Sequence, residues 1–63
     1  MDEILRSQAG SVLTLTLNRP AKMNAITTGM YVHLRRHLRE AAEDFGTRCV
    51  VIQAEGMNFT AGN

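Results

Sequence analysis

The residues that could do chemistry in this chain fall in two loops and on one helix face. The first loop, residues 18–26 (NRPAKMNAI), offers a cation at Lys22 and an amide at Asn24 behind Pro20. The second, residues 56–63 (GMNFTAGN), follows the apolar run VVI at 50–52. Taken separately, each is a turn. Pro20 has no N–H to give a ladder and biases Arg19 toward an extended backbone, so Asn18-Arg19-Pro20 terminates a strand. Lys22 reads either as a solvated loop lysine or as a contact to an anionic ligand, and Asn24 as a side chain whose hydrogen bonds fix the loop. Gly62, lacking a Cβ, allows close approach of a ligand to the backbone.

The helix face carries His33 and His37, an i,i+4 pair that could reach a single metal ion. The residues between them are Leu34, Arg35 and Arg36, with no acidic base, and a third ligand is missing from the pattern. The pair therefore reads as part of a solvated face, together with Arg35, Arg36 and Arg39, which are followed at once by Glu40, Glu43 and Asp44. Cys49 opens an apolar run and reads as a small buried hydrophobe rather than a nucleophile. Asn58-Phe59-Thr60 matches a glycosylation sequon, but no signal-peptide pattern accompanies it.

The elements that must position these loops follow from periodicity. Residues 3–8 and 12–17 form two short runs around Ala9-Gly10-Ser11, which suits a hairpin with a three-residue loop. In VLTLTL, Leu13, Leu15 and Leu17 share one face, and Val12, Thr14 and Thr16 share the other. From Thr27 the period changes. Met30, Leu34, Leu38, Ala41 and Phe45 recur at steps of three and four, as on one stripe of a helix. Thr27 or Thr28 is placed to cap its start and Gly46 its end. Arg36 with Glu40 and Arg39 with Glu43 are i,i+4 pairs of opposite charge, each worth about 0.2–0.5 kcal/mol. Cys49-Val50-Val51-Ile52 has the pattern of a strand buried on both sides of a parallel sheet, closed by Glu55-Gly56.

The resulting order is β-β-α-β. A helix linking the second and third strands makes them parallel, so both loops leave the carboxyl ends of neighbouring strands, where open α/β sheets collect ligands.

With the two loops in this order, about a helix-length apart, the chain resembles the opening of the crotonase (enoyl-CoA hydratase/isomerase) superfamily. Its members show N-R-P-x-x-x-N-A-[LIM] and then a strand running into [FL]-x-[AS]-G-x-D. The resemblance covers nearly the whole chain and implies an α/β fold, the N-terminal β-β-α-β unit of a ClpP/crotonase-like spiral, with residues 1–63 a fragment of that domain. It implies that a bent CoA thioester lies across both loops, with Lys22, Met23 and Ala25 lining its path largely through backbone atoms. Ala61 and Gly62 would contact its adenine or pantetheine portion. Asn63 falls on the residue whose backbone N–H forms half of the oxyanion hole, where a side chain other than the usual Ala or Gly is tolerable. The family's second oxyanion donor and its acid/base carboxylates belong to later motifs, so the 63 residues alone are expected to be inactive. The resemblance implies no cofactor beyond the coenzyme A of the substrate, no metal, and a homo-oligomer, trimer or hexamer, for the full-length family.

Composition sets the outer limits. Sixty-three residues make one small domain, and a chain of this size buries only about 60% of its unfolded surface. Seven Lys and Arg against six Asp and Glu give a formal net charge of +1, too near neutral to call for nucleic acid or an anionic membrane. Residues 1–4 lack the basic and apolar regions of a signal peptide, and no apolar run reaches membrane-span length. A cytoplasmic or organelle-matrix protein is expected, and the single cysteine is in keeping with a reducing compartment. Two competing readings are a truncated or degenerate product that binds a homologous subunit without catalysing, and a small binding module.

Overall fold

The computed structural model describes residues 3–62. Strands β1 (Ile4–Ala9) and β2 (Val12–Leu17) form a hairpin, a short 3-10 turn follows at Pro20–Lys22, and helix α1 (Thr28–Glu43) leads to strand β3 (Cys49–Ala54). The sheet order is β1-β2-β3. β1 pairs antiparallel with β2, from Ile4 opposite Leu17 to Ala9 opposite Val12. β2 pairs parallel with β3, from Val12 opposite Cys49 to Leu17 opposite Ala54. The β-β-α-β order and the parallel crossover pair are thus as the sequence requires.

The hairpin turn is tighter than the spacing suggests. Ala9 and Val12 are a ladder pair, leaving only Gly10 and Ser11 as the loop. Gly10 supplies the positive φ, +59°, that a two-residue turn matching the strand twist needs.

The alternation in β2 decides where the core lies. Leu13, Leu15 and Leu17 are buried, and Leu17 packs with Ile4 of β1 and Met30 of α1, with Ile26, Leu34 and Ala54 around them. On the other face, Thr16 is buried beneath its ladder partner Gln53, whose Nε2 donates to the Thr16 hydroxyl at 3.0 Å.

Thr27 is the helix cap. Its hydroxyl accepts the Met30 N–H at 3.1 Å, and its own N–H points to the Met30 sulfur at 3.5 Å. Side chain and backbone of Met30 therefore serve the cap while its apolar body fills the core, which fixes the angle at which the helix enters.

The other end departs from the sequence pattern. The helix stops at Asp44, whose carboxylate accepts the Gly46 N–H at 2.9 Å and the Thr47 hydroxyl at 2.8 Å. These bonds, the Gly46 N–H foremost, hold the Asp44 carboxyl below its ordinary pKa, helped by the charge of Arg6. Gly46 is not among the left-handed glycines, so the expected glycine cap is replaced by an Asx-type turn. Phe45 lies beyond the helix and is fully exposed, and Leu38 is also exposed, so Met30 and Leu34 at the N-terminal half of the stripe are the helix residues packed in the core cluster. Glu40 sits beside His37, Nδ1 to Oε1 3.6 Å, rather than pairing with Arg36.

β3 differs most. Val51 and Ile52 are 40% and 43% exposed and Cys49 is exposed, where a doubly buried strand and a buried cysteine are expected. Among the described residues β3 is an edge strand paired with β2, and only its Val50 and Ala54 are half-buried, Ala54 against the cluster that includes Met30 of α1. The total accessible surface, 4517 Å², exceeds the roughly 4,000 Å² typical of a folded monomer of this mass.

Candidate functional site

The register of β2 and β3 brings the two loops together. Leu17 and Ala54, the last residues of the two strands, are opposite one another, and the Glu55 N–H continues the ladder by donating to the Leu17 carbonyl at 2.9 Å. Residues 18–26 and 55–62 therefore leave the sheet side by side, at the same end.

The first loop is wound tightly on itself. The Arg19 carbonyl accepts the N–H groups of Lys22 (3.1 Å) and Asn24 (2.8 Å), and the Pro20 carbonyl accepts that of Met23 (3.0 Å). Two consecutive non-glycine residues, Met23 and Asn24, take left-handed φ values of +54° and +57°. Such a backbone persists only where the surroundings over-determine it.

Asn24 supplies that determination. It is fully buried. Its Oδ1 accepts the Arg19 N–H at 2.7 Å, and its Nδ2 donates to the Glu55 carbonyl at 2.8 Å and the Asn58 carbonyl at 2.7 Å. Both amide hydrogens are thus spent on the second loop, more than thirty residues away. Thr60 returns the contact: its hydroxyl donates to the Asn24 carbonyl at 2.7 Å and accepts the Gly62 N–H at 3.0 Å. The Ile26 N–H donates to the Gly62 carbonyl at 2.7 Å. Arg19 braces the outer side, its guanidinium donating to the Ala25 carbonyl at 3.1 Å and pairing with Glu3 at 3.2 Å.

The expected site residues divide accordingly. Lys22 and Met23 lie exposed on the first loop with Ala25 half-buried behind them, and Ala61 and Gly62 lie on the second, exposed and half-buried. The N–H groups of Lys22, Met23, Ala25 and Gly62 are all used within the loops. Among the described residues, the Met23 carbonyl and the N–H and carbonyl of Ala61 have no protein partner. Asn63, expected to carry the oxyanion N–H, lies outside the described residues.

Thr60 and Arg19 hold the loops together without having been singled out for it in the sequence, and Gly56 lets Pro20 approach where a Cβ would lie 3.0 Å from it. Only their proximity to the two motifs pointed to them, because the partners of each are distant in the chain or in backbone atoms.

Other surface features stand apart. A cleft of about 390 Å³ between β1 and α1 is lined by Ile4, Leu5, Arg6, His33, Arg36 and His37, away from the loops. Among the described residues no group of three or more His, Cys, Asp or Glu is placed to hold a metal ion, and no helix is long and apolar enough to cross a membrane.

A model of the enoyl-CoA hydratase/isomerase family matches residues 12–63. The chain is 36% identical over 62 residues to 1,2-epoxyphenylacetyl-CoA isomerase and 39% identical over 62 residues to 2,3-dehydroadipyl-CoA hydratase, both of Escherichia coli (strain K12). Each alignment covers 98% of this chain and 24% of the relative. The crystal structure of an enoyl-CoA hydratase/isomerase from Pseudoalteromonas atlantica T6c superposes with a TM-score of 0.96 at 37% identity, covering 98% of this chain and 25% of that one. The chain belongs to the enoyl-CoA hydratase/isomerase family and has the corresponding part of the crotonase fold. It spans about a quarter of the length of the relatives it matches.

Proposed function

We propose that this chain supplies the acyl-CoA-binding loops of an enoyl-CoA hydratase/isomerase-type site and, through the backbone N–H of Asn63, one donor of an oxyanion hole. The observation that carries the reading is the pairing of residues 18–26 with 55–62 at the carboxyl ends of two parallel strands, in a chain of this family. The CoA thioester runs past Lys22, Met23 and Ala25 on one side and Ala61 and Gly62 on the other. Because the loop N–H groups are largely spent internally, the Met23 and Ala61 carbonyls are the acceptors offered to amide or amine hydrogens of the ligand.

Hydration and isomerisation of an acyl-CoA both place negative charge on the thioester oxygen, and fixed N–H donors stabilise that charge in a site from which water is excluded. One donor does not make a working site. The family's second donor and its acid/base carboxylates belong to motifs that these 63 residues do not contain, and loss of one oxyanion donor typically costs about 10²- to 10³-fold in rate. The 63-residue polypeptide is therefore a binding segment of the family's N-terminal domain and turns over no acyl-CoA alone. Its setting is a homo-oligomer of three or six copies in the cytoplasm or an organelle matrix. The exposed β3 edge favours, as a second reading, a non-catalytic segment that docks on a homologous subunit.

The test is a titration of the isotopically labelled polypeptide with CoA, followed by amide NMR shifts, beside an absorbance assay with crotonyl-CoA. Shifts at residues 22–25 and 60–62, lost in Gly62→Val, are expected, with no loss of enoyl absorbance above the buffer rate. Gly62 sits at φ +84°, a backbone a β-branched residue rarely adopts. Shifts confined to other surfaces refute the binding site, and turnover abolished by Gly62→Val refutes the inactivity.

A further inference from the structure

From the bonds that Asn24 makes, we infer that it is the positioning residue of the two-loop site: through it, residues 18–26 dictate the conformation of residues 55–62, and so control ligand affinity from a place no ligand reaches. Asn24 is fully buried, so it acts only through other groups. The inference rests on the functional reading above for its ligand, though not for its mechanics.

Three observations carry it. First, the carboxamide bridges Arg19 on its own loop to Glu55 and Asn58 on the other, at 2.7–2.8 Å, using its acceptor and both donors. Second, the return contact from Thr60 to the Asn24 carbonyl passes on, through the same hydroxyl, to the Gly62 N–H. A chain of hydrogen bonds therefore runs from Asn24 to the glycine beside the proposed thioester path. Third, Asn24 and its neighbour Met23 are both held at positive φ, so releasing the side chain also releases a strained backbone. Asn24 carries three of the hydrogen bonds between the loops, two through its side chain and one through its carbonyl, beside the bond from the Ile26 N–H to the Gly62 carbonyl.

Aspartate at this position separates positioning from bulk. Asn24→Asp keeps size and the acceptor for the Arg19 N–H, but as a carboxylate it has no hydrogen to give to the Glu55 and Asn58 carbonyls and is repelled by both. Thr27→Ala is the control, because it removes the helix cap without touching the clamp. Amide hydrogen exchange reads the coupling directly. The Ile26 N–H, which bonds to the Gly62 carbonyl, and the Gly62 N–H are the reporters, and the β1–β2 ladder amides are the reference.

In Asn24→Asp the reporters lose at least tenfold in protection while the ladder amides change by less than threefold; in Thr27→Ala the reporters follow the ladder. CoA affinity drops tenfold or more in Asn24→Asp and less than twofold in Thr27→Ala. If Asn24→Asp does not fold, Thr60→Val, which deletes the return contact together with the acceptor of the Gly62 N–H, is read at the Ile26 N–H alone and shows the same pattern at smaller amplitude. Reporter protection retained in the folded variant, or lost in parallel with the ladder in both Asn24→Asp and Thr60→Val, overturns the inference. If the exchange pattern holds but the parent chain does not bind CoA, the coupling stands and the functional reading fails.

Discussion

Gly56→Ala tests how closely the two loops approach. Gly56 has φ +83°, and a Cβ built on it lies 3.0 Å from Cβ of Pro20 in the first loop. Two costs follow. The left-handed backbone costs an L-residue about 1 kcal/mol. The contact is about 0.5–1 Å inside the optimal separation of carbon atoms, so one loop must give way by a few tenths of an ångström. That movement is resisted on both sides of Gly56, by Glu55, whose N–H is bonded to the Leu17 carbonyl and whose carbonyl is bonded to Asn24, and by the Asn58 carbonyl, also bonded to Asn24. Overpacking of this kind costs about 1–3 kcal/mol, and the sum is about 2–4 kcal/mol.

Gly10→Ala is the matched reference. Gly10 is left-handed too, φ +59°, but an added Cβ meets nothing within 4 Å, so only the backbone cost of about 1 kcal/mol applies. The measurement is urea unfolding of both variants and the parent by circular dichroism, at one protein concentration, because association shifts apparent stability. A folded chain of this length has roughly 3–9 kcal/mol in total, so both losses are measurable, and Gly56→Ala should lower the midpoint about two to four times as far as Gly10→Ala. Equal midpoint shifts in the two variants would falsify the close approach of the loops.

Three further outcomes follow from the packing and the charges. Leu15→Ala removes a side chain with no exposed surface at the centre of β2 and should cost about 2–5 kcal/mol in the same urea experiment; a loss under 1 kcal/mol would mean that the core is not where the structure puts it. The Asp44 carboxyl is held below the ordinary aspartate value of 3.8 by the Gly46 N–H and the Thr47 hydroxyl. A carboxylate with a depressed folded pKa stabilises above the unfolded value and loses that contribution as pH falls through the folded one. The Gly46 amide resonance should therefore move with a midpoint below 3.8, and a midpoint above it contradicts the cap. Finally, the exposed Val51 and Ile52 on edge strand β3 should make the polypeptide self-associate at micromolar concentration, and Ile52→Lys should shift it toward monomer in sedimentation velocity; a monomeric parent refutes this.

The sequence by itself determined the element order, the buried face of β2, a threonine cap at Thr27 or Thr28, which the structure resolves to Thr27, and the parallel pairing that puts both loops at one end of the sheet. Each rests on a short-range rule. Alternation selects Leu13, Leu15 and Leu17, a period of three to four residues selects Met30 and Leu34, and a helix between two strands leaves the chain little choice but a parallel return. The motif pair in residues 18–26 and 56–63 also sufficed for the family, because the order and spacing of two loops is itself a sequence property.

Tertiary structure decided what depends on distant neighbours. The apolar run from Cys49 to Ile52 looks buried because its residues are apolar, yet burial requires a layer packed on each face of the sheet, and Cys49, Val51 and Ile52 are left exposed in the described residues. Phe45 fits the helical stripe by count, but the Asp44 carboxylate captures the Gly46 and Thr47 donors and ends the helix first. Asn24 can be read from sequence as a loop-fixing residue, whereas the carbonyls it fixes, Glu55 and Asn58, are identical in kind to every other backbone carbonyl and carry no mark in the sequence. Only the folded chain brings them within 3 Å of that amide, and that proximity turns two separate turns into one site.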